Sequence, residues 1–132
     1  MAQEELHYHL TFKAVIAGEL STESLDSSSN TASIESYLTL ALLKRCSNAW
    51  VIYTSIEPIP DTQQHQLLFD AIVTAREKQI PLNSPKGAVM LEADLLMALE
   101  KHHLSARAID TIAHQASYKY EVEQVEHPSP SK

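Results

Sequence analysis

The feature that most constrains this chain is an apolar run over residues 88–99, which reads A-V-M-L-E-A-D-L-L-M-A-L. Alanine, leucine and methionine lose little conformational freedom when they enter a helix. Ser84-Pro85 supplies an N-cap followed by proline at the first helical position, and Lys101 suits the negative end of the helix dipole. The sequence therefore predicts a helix from about residue 85 to residue 101.

This predicted helix has two apolar faces when it is wound at about 100° per residue. The first face carries Ala88, Leu91, Leu95, Ala98 and Leu99. The second face carries Val89, Met90, Ala93, Leu96 and Met97. A helix that is apolar on both sides is buried on both sides, either inside its own domain or against a partner. Because methionine is an adaptable contact residue at partner surfaces, the second face is a predicted partner interface, with burial between neighbouring helices as the alternative.

The rest of the chain divides into predicted strands and helices. Alternating apolar and polar residues indicate a strand, and apolar residues three and four positions apart indicate a helix. On these criteria the strands span residues 7–17, 49–56 and 117–125, and the additional helices span residues 34–46, 61–79 and 105–116. The strand over 49–56 has little polar alternation, which is typical of a central strand covered on both faces.

The resulting order, β-α-β-α-α-α-β, predicts a small α/β or α+β domain with a three- or four-stranded sheet packed by about four helices. The first two strands are joined through a helix, so they are expected to run parallel with a right-handed crossover. We expect a single globular domain over residues 1–126, because a chain of 132 residues can bury a core without disulfides. Residues 127–132, H-P-S-P-S-K, are predicted to be a disordered tail.

Charge and composition exclude several classes of function. The formal net charge is −7 and the pI is near 5.4, which opposes broad, non-specific binding to nucleic acid or anionic lipid. No apolar stretch reaches the roughly 18 residues of a membrane span, and the first residues lack the pattern of a signal peptide. The sequence therefore predicts an acidic, soluble, cytoplasmic protein that binds neither nucleic acid nor membrane.

The scarcity of glycine excludes further classes of function, because the chain contains only Gly18 and Gly87. Loops that cradle phosphate need several glycines close together, so neither a P-loop nor a dinucleotide-binding fingerprint is present. The G-x-S-x-G elbow of many hydrolases is also missing. No cofactor is predicted, and the sequence favours a protein that is not an enzyme.

Two pairs of residues are candidate sites for a metal or a ligand. His7 and His9 are alternate residues of the first predicted strand, so both imidazoles lie on one face and can share a metal. The alternative is two exposed histidines on a solvated face. Asp61 and His65 follow the predicted central strand, at the position where open α/β sheets bind ligands. An N-cap and an exposed polar residue explain this second pair equally well.

Residues 15–20, V-I-A-G-E-L, resemble the strand-Gly-Glu-Leu start of anti-sigma-factor antagonist (STAS) domains. In those domains an Asp-Ser-Ser-Gly sequence opens the helix after the buried strand, whereas this chain has Asp61-Thr62-Gln63-Gln64 there. The resemblance covers six residues and implies a regulatory domain that binds a ligand or a partner.

These features predict a non-catalytic protein–protein interaction module, such as a small acidic adaptor, inhibitor or immunity-type protein, that self-associates as a dimer. The prediction depends on the missing catalytic motifs, the negative charge and the two-faced helix. Two alternatives stay open. The first is a small α/β enzyme or metal-binding protein that uses His7 and His9, and the second is a STAS-like regulatory domain with a ligand near Asp61 and His65.

Overall fold

Two helices and a four-stranded sheet make up the computed structural model, which describes residues 6–76 and 80–116. In chain order the elements are β1 (His7–Ala17), α1 (Ser28–Arg45), β2 (Asn48–Pro58), β3 (His65–Thr74), α2 (Pro85–Lys101) and β4 (Ser105–Ala116). The strands lie in the order β2-β3-β1-β4, and every neighbouring pair is antiparallel. This βαββαβ connectivity is the ferredoxin-like, split-βαβ arrangement.

The hydrophobic core lies between the helices and one face of the sheet. Alternate residues of β1, beginning with Tyr8 and Leu10, are buried there, as the alternating sequence of that strand predicts. Phe12 lies directly opposite Phe69 of β3 in the register, and both side chains are fully buried. Leu95 of α2 packs into the same cluster. Both helices therefore cover the same face of the sheet, and the other face is called here the open sheet face.

Side-chain and backbone caps define the ends of both helices. The Ser27 hydroxyl accepts a hydrogen bond from the Asn30 N–H and begins α1, and the Ser84 hydroxyl accepts one from the Gly87 N–H and begins α2. At the end of α2, His103 has a φ of 68°, and Leu104 donates its N–H to the Leu99 carbonyl. This is a Schellman-type end with histidine in place of the usual glycine. Within residues 6–76 and 80–116, neither helix is long and apolar enough to cross a membrane.

The predicted general class is confirmed, because the chain has an α+β fold with a four-stranded sheet. The predicted order and the four predicted helices are wrong, since the described residues contain two helices. α2 spans the predicted residues 85–101, whereas α1 begins at Ser28, earlier than the predicted residue 34. The predicted strand over 117–125 and the predicted tail over 127–132 lie outside the described residues.

Segment 61–79, predicted as a helix, instead contains a turn followed by β3. The apolar residues Leu68, Phe69, Ile72 and Val73 fit helical spacing, but they fit equally well a strand that is apolar on both faces. In the structure Phe69 and Val73 belong to the core cluster, and Leu68 and Ile72 alternate with them toward the open sheet face. Periodicity alone does not separate these two cases.

Segment 105–116 was also predicted as a helix and is β4. Its alanines favour a helix, but antiparallel pairing with β1 along the strand outweighs this local preference. Ala108 and Ala113 pack against the core, whereas Ile109 and Ile112 are about half exposed. Tertiary context therefore decides the conformation of this segment.

The first two strands run parallel, as expected, because each is antiparallel to β3, but they are not neighbours in the sheet. β2 lies at the edge of the sheet and pairs with β3, and β3 separates it from β1. The predicted central strand is thus an edge strand, and β1 and β3 are the two interior strands. Because the sheet is antiparallel, it has no switch point of the kind at which parallel sheets bind ligands.

Candidate functional site

A concave surface, the interhelical groove, lies between α1 and α2. Arg45 at the end of α1 contacts Asp94 in the middle of α2, and Tyr37 contacts His102. The helices therefore run antiparallel. Two adjoining cavities of about 710 and 420 Å³ form the groove. The interhelical groove is lined by Tyr37, Leu40, Ala41, Leu43, Lys44, Arg45, Arg76, Asp94, Met97, Ala98, Lys101 and His102.

The groove has a small-residue floor and an apolar rim. Ala41 and Ala98 line both cavities, and their short side chains leave the space between the helices open. Leu40 of α1 and Met97 of α2 are 61% and 66% exposed. Large apolar side chains exposed beside a concave surface are typical of an interaction site.

An ion pair closes one end of the groove. The Arg45 Nε donates a 2.6 Å hydrogen bond to Asp94 Oδ2, and Nη2 donates a 3.3 Å bond to Oδ1. Hydrogen bonding to Asp94 raises the pKa of the Arg45 guanidinium above its ordinary value. Arg76 donates to the carbonyl oxygens of Leu43 and Arg45, at 3.1 Å each, and so satisfies acceptors at the end of α1. These contacts fix the position of both guanidinium groups.

A stacked pair of rings lies at the other end of the groove. The Tyr37 and His102 rings have centroids 3.5 Å apart and an interplanar angle of 4°. The pair joins the middle of α1 to the C-cap residue of α2, so it connects the two walls. The groove is therefore bounded at both ends by contacts between its two walls.

The groove is positively charged although the protein is acidic. Lys44, Arg45, Arg76 and Lys101 line it, and Asp94 is the one carboxylate among its described lining residues. The chain as a whole has 10 Lys and Arg residues against 17 Asp and Glu residues. The local charge is thus opposite in sign to the net charge, which favours anionic groups at this surface.

The Arg45–Asp94 pair should couple the two helices energetically. Each side chain is about one-quarter exposed, so solvent screens the pair only in part. We expect a coupling of about 1 kcal/mol in the free energy of unfolding, at the upper end of the range for pairs that are not fully buried. A double-mutant cycle of Arg45→Ala and Asp94→Ala in urea measures it. Lys101→Ala is the control, with an expected change within about 0.5 kcal/mol. Additive single-variant effects would contradict this prediction.

The predicted partner interface on α2 is divided in the structure. Val89, Ala93 and Met97 are exposed, whereas Met90 is half-buried and Leu96 packs against the core. The exposed residues are four positions apart and form a stripe on the outer side of α2. Of the five predicted interface residues, Met97 lines the interhelical groove.

The structure places the predicted metal ligands on the open sheet face. His9 Nε2 lies 3.5 Å from Oδ1 of Asp70, and the Thr11 hydroxyl donates a 2.6 Å hydrogen bond to the same oxygen. The His7 Nδ1 lies 3.0 Å from the Thr74 hydroxyl oxygen. Within residues 6–76 and 80–116, no group of three or more His, Cys, Asp and Glu side chains is arranged to hold a metal ion.

The predicted ligand residues Asp61 and His65 have separate surroundings. Asp61 is exposed in the turn between β2 and β3, with a φ of 63°. His65 begins β3, and its Nε2 lies 3.7 Å from Oδ1 of Asp26. A hydrogen bond from the Ser24 side chain, with a smaller contribution from His65, lowers the pKa of Asp26. The structure therefore places Asp61 in an exposed turn and His65 beside Asp26.

Sequence reasoning did not find the cationic groove. Lys44, Arg45 and Lys101 lie in the last turns of α1 and α2, where cations are ordinarily explained by the helix dipole. Arg76 was assigned to a helix that does not exist. A possible signal was the clustering of cations at helix ends in an otherwise acidic chain, but it becomes informative only when the packing of the two helices is known.

Comparison of the chain with protein-family models, with curated proteins and with solved structures finds no match in any of the three.

Proposed function

We propose that this protein is a non-catalytic protein-interaction module, of the adaptor, inhibitor or immunity type, and that the interhelical groove is its binding surface. The observation that carries the proposal is the exposure of Leu40 and Met97 on opposite walls of the groove. These side chains gain most if a partner buries them, since burial of apolar surface drives protein association. Methionine also adapts its shape to different partners.

The dimensions of the groove fit a short protein segment. Its walls run from Tyr37 to Arg45 on α1 and from Asp94 to His102 on α2. Each wall is about 12 Å long at a rise of about 1.5 Å per residue. Two turns of a helix have about this length and present side chains three and four positions apart to a groove. The groove therefore fits one short helical segment of a partner.

Selection of peptides against the full chain tests this proposal. From a display library of peptides of about 12 residues, or about three helical turns, the wild-type protein should select binders with a Kd of about 10 µM or lower. Leu40→Glu and Met97→Glu should each weaken binding at least about tenfold, or about 1.4 kcal/mol, because a charge replaces an apolar contact. Isothermal titration calorimetry measures the change.

Val89→Glu is the matched control, because Val89 lies on the same helix and is 64% exposed but does not line the groove. Its binding should equal that of the wild type. Peptides that bind all four proteins equally would contradict the proposed site. Light scattering after size exclusion tests self-association with the same proteins. A wild-type dimer that Met97→Glu converts to a folded monomer would mean that a second copy occupies the groove.

A further inference from the structure

The cations of the interhelical groove lie in two positions around its apolar surface. Lys44 and Lys101 line both cavities, so they lie where the cavities adjoin. Arg45 and Arg76 line the larger cavity only, at the end of the groove formed by the last turn of α1. A segment that lies along the groove therefore passes a pair of ammonium groups and then a pair of guanidinium groups.

The two pairs differ in what they offer a ligand. Arg45 is already engaged by Asp94, so its charge is largely compensated within the groove. Arg76 donates to the carbonyl oxygens of Leu43 and Arg45 at the end of α1. The side chains of Lys44 and Lys101 are exposed on opposite walls. The two lysines are therefore the cations that a ligand in the groove would meet on both walls.

We infer that the occupant of the groove is an acidic segment of a partner protein, about two helical turns long, with carboxylates toward Lys44 and Lys101 and a bulky apolar side chain beside Met97. This inference rests on the proposed function and specifies the partner. It follows from charge complementarity, because a positive concave surface on an acidic protein favours anionic ligands over cationic ones.

A polyanion such as nucleic acid fits this surface less well than a peptide does. Affinity for nucleic acid depends on many cations along an extended track, whereas four cations line the groove among its described residues and one of them is paired with Asp94. The net charge of −7 repels a long polyanion beyond the groove. A peptide with two or three carboxylates is short enough to meet the local cations and avoid the acidic remainder of the surface.

The composition of the selected peptides and a charge-reversed variant test the inference. Groove-dependent peptides should contain about twice as many Asp and Glu residues as the input library, as expected for electrostatic complementarity. Lys44→Glu/Lys101→Glu should bind them at least about tenfold more weakly, and raising NaCl from about 0.05 to 0.5 M should weaken binding to the wild type about fivefold, because salt screens exposed charges. Lys86→Glu/Arg107→Glu makes the same change in net charge outside the groove and should bind as the wild type does at each salt concentration.

Each other outcome overturns the inference in a recognisable way. Groove-dependent peptides without acidic enrichment, which bind the charge-reversed variant normally, would leave the proposed function standing and remove the acidic partner. If Met97→Glu affects no selected peptide, both proposals fail. A wild-type dimer that Met97→Glu dissociates would assign the groove to a second copy. If no peptide is selected, and decanoate binds the wild type but not Lys44→Glu/Lys101→Glu, the groove would be assigned to a small amphipathic anion.

Discussion

Leu95→Glu should destabilise the protein by more than about 4 kcal/mol, because it places an unpaired carboxylate in the core and removes a large apolar side chain. Leu95 is 0% exposed and packs between α2 and the sheet. A domain of this size has a total stability of about 5–15 kcal/mol, so much of the variant should be unfolded at 37 °C. Circular dichroism during urea and thermal unfolding measures the loss.

Met97→Glu is the matched variant on the other face of the same helix, two residues further along the chain. Met97 is largely exposed, and methionine and glutamate have similar helix propensities, so we expect a change within about 0.5 kcal/mol. The new carboxylate also lies four residues before Lys101, which is a favourable spacing. A large loss for Met97→Glu, or a small one for Leu95→Glu, would mean that the two faces of α2 are assigned the wrong way round.

The sequence of α2 determines that the segment is a helix but not which of its two apolar faces is buried. Its N-cap, its proline at the first position and its apolar content predict the helix from local preferences alone. Its hydrophobic pattern identifies two apolar faces but not which one the domain covers. The structure covers the face with Leu91, Leu95 and Leu99, because the sheet needs one stripe of α2 and α1 lies beside it. Part of the second face, including Val89 and Met97, is therefore exposed.

Misassignment of β3 and β4 has a common physical origin. Both strands have apolar residues on two faces, β3 because it is interior and β4 because Ile109 and Ile112 remain on its surface. Strict alternation is then lost, and helical spacing fits by coincidence. β1 was predicted correctly because its open face carries polar residues such as Thr11 and Lys13. Strands that are apolar on both faces are recognised from their pairing, which a single sequence does not contain.

The residues of the candidate groove were predicted only in part for a related reason, and its role as an interface stays a prediction. Met97 was predicted to face a partner because both apolar faces of a helix can be worked out from one continuous segment, and in the structure it lines the groove. The cations come from three separate segments, and the antiparallel packing of α1 against α2 brings them together. Residues 44, 76 and 101 are far apart in the chain, so no local pattern links them. Surface sites built by tertiary packing are therefore the part of this protein that required the structure.

Gly87 allows the backbone before α2 to pack closely on the helix, and the position of a glycine in the first helical turn hints at this role. Glycine in a helix costs about 1 kcal/mol relative to alanine, so its presence in the first turn of α2 indicates a packing reason. A Cβ built at Gly87 would lie 2.2 Å from the Pro81 carbonyl oxygen and 2.8 Å from the Leu82 Cα. The backbone before α2 thus packs directly on the helix, and the Ser84 hydroxyl donates a 2.6 Å hydrogen bond to the same Pro81 oxygen.

Gly87→Ala should therefore lower the free energy of unfolding by about 3 kcal/mol, because the methyl group meets rigid backbone and forces the segment before α2 outward. That displacement also withdraws Leu82, which is fully buried, from the core. The gain in helix propensity, about 1 kcal/mol, offsets only part of the cost. Lys86→Ala, one residue earlier and exposed, should change stability by less than about 0.5 kcal/mol. Urea unfolding followed by circular dichroism compares the two variants. If Gly87→Ala is as stable as the wild type, the close approach of Pro81 to α2 is not required by the fold.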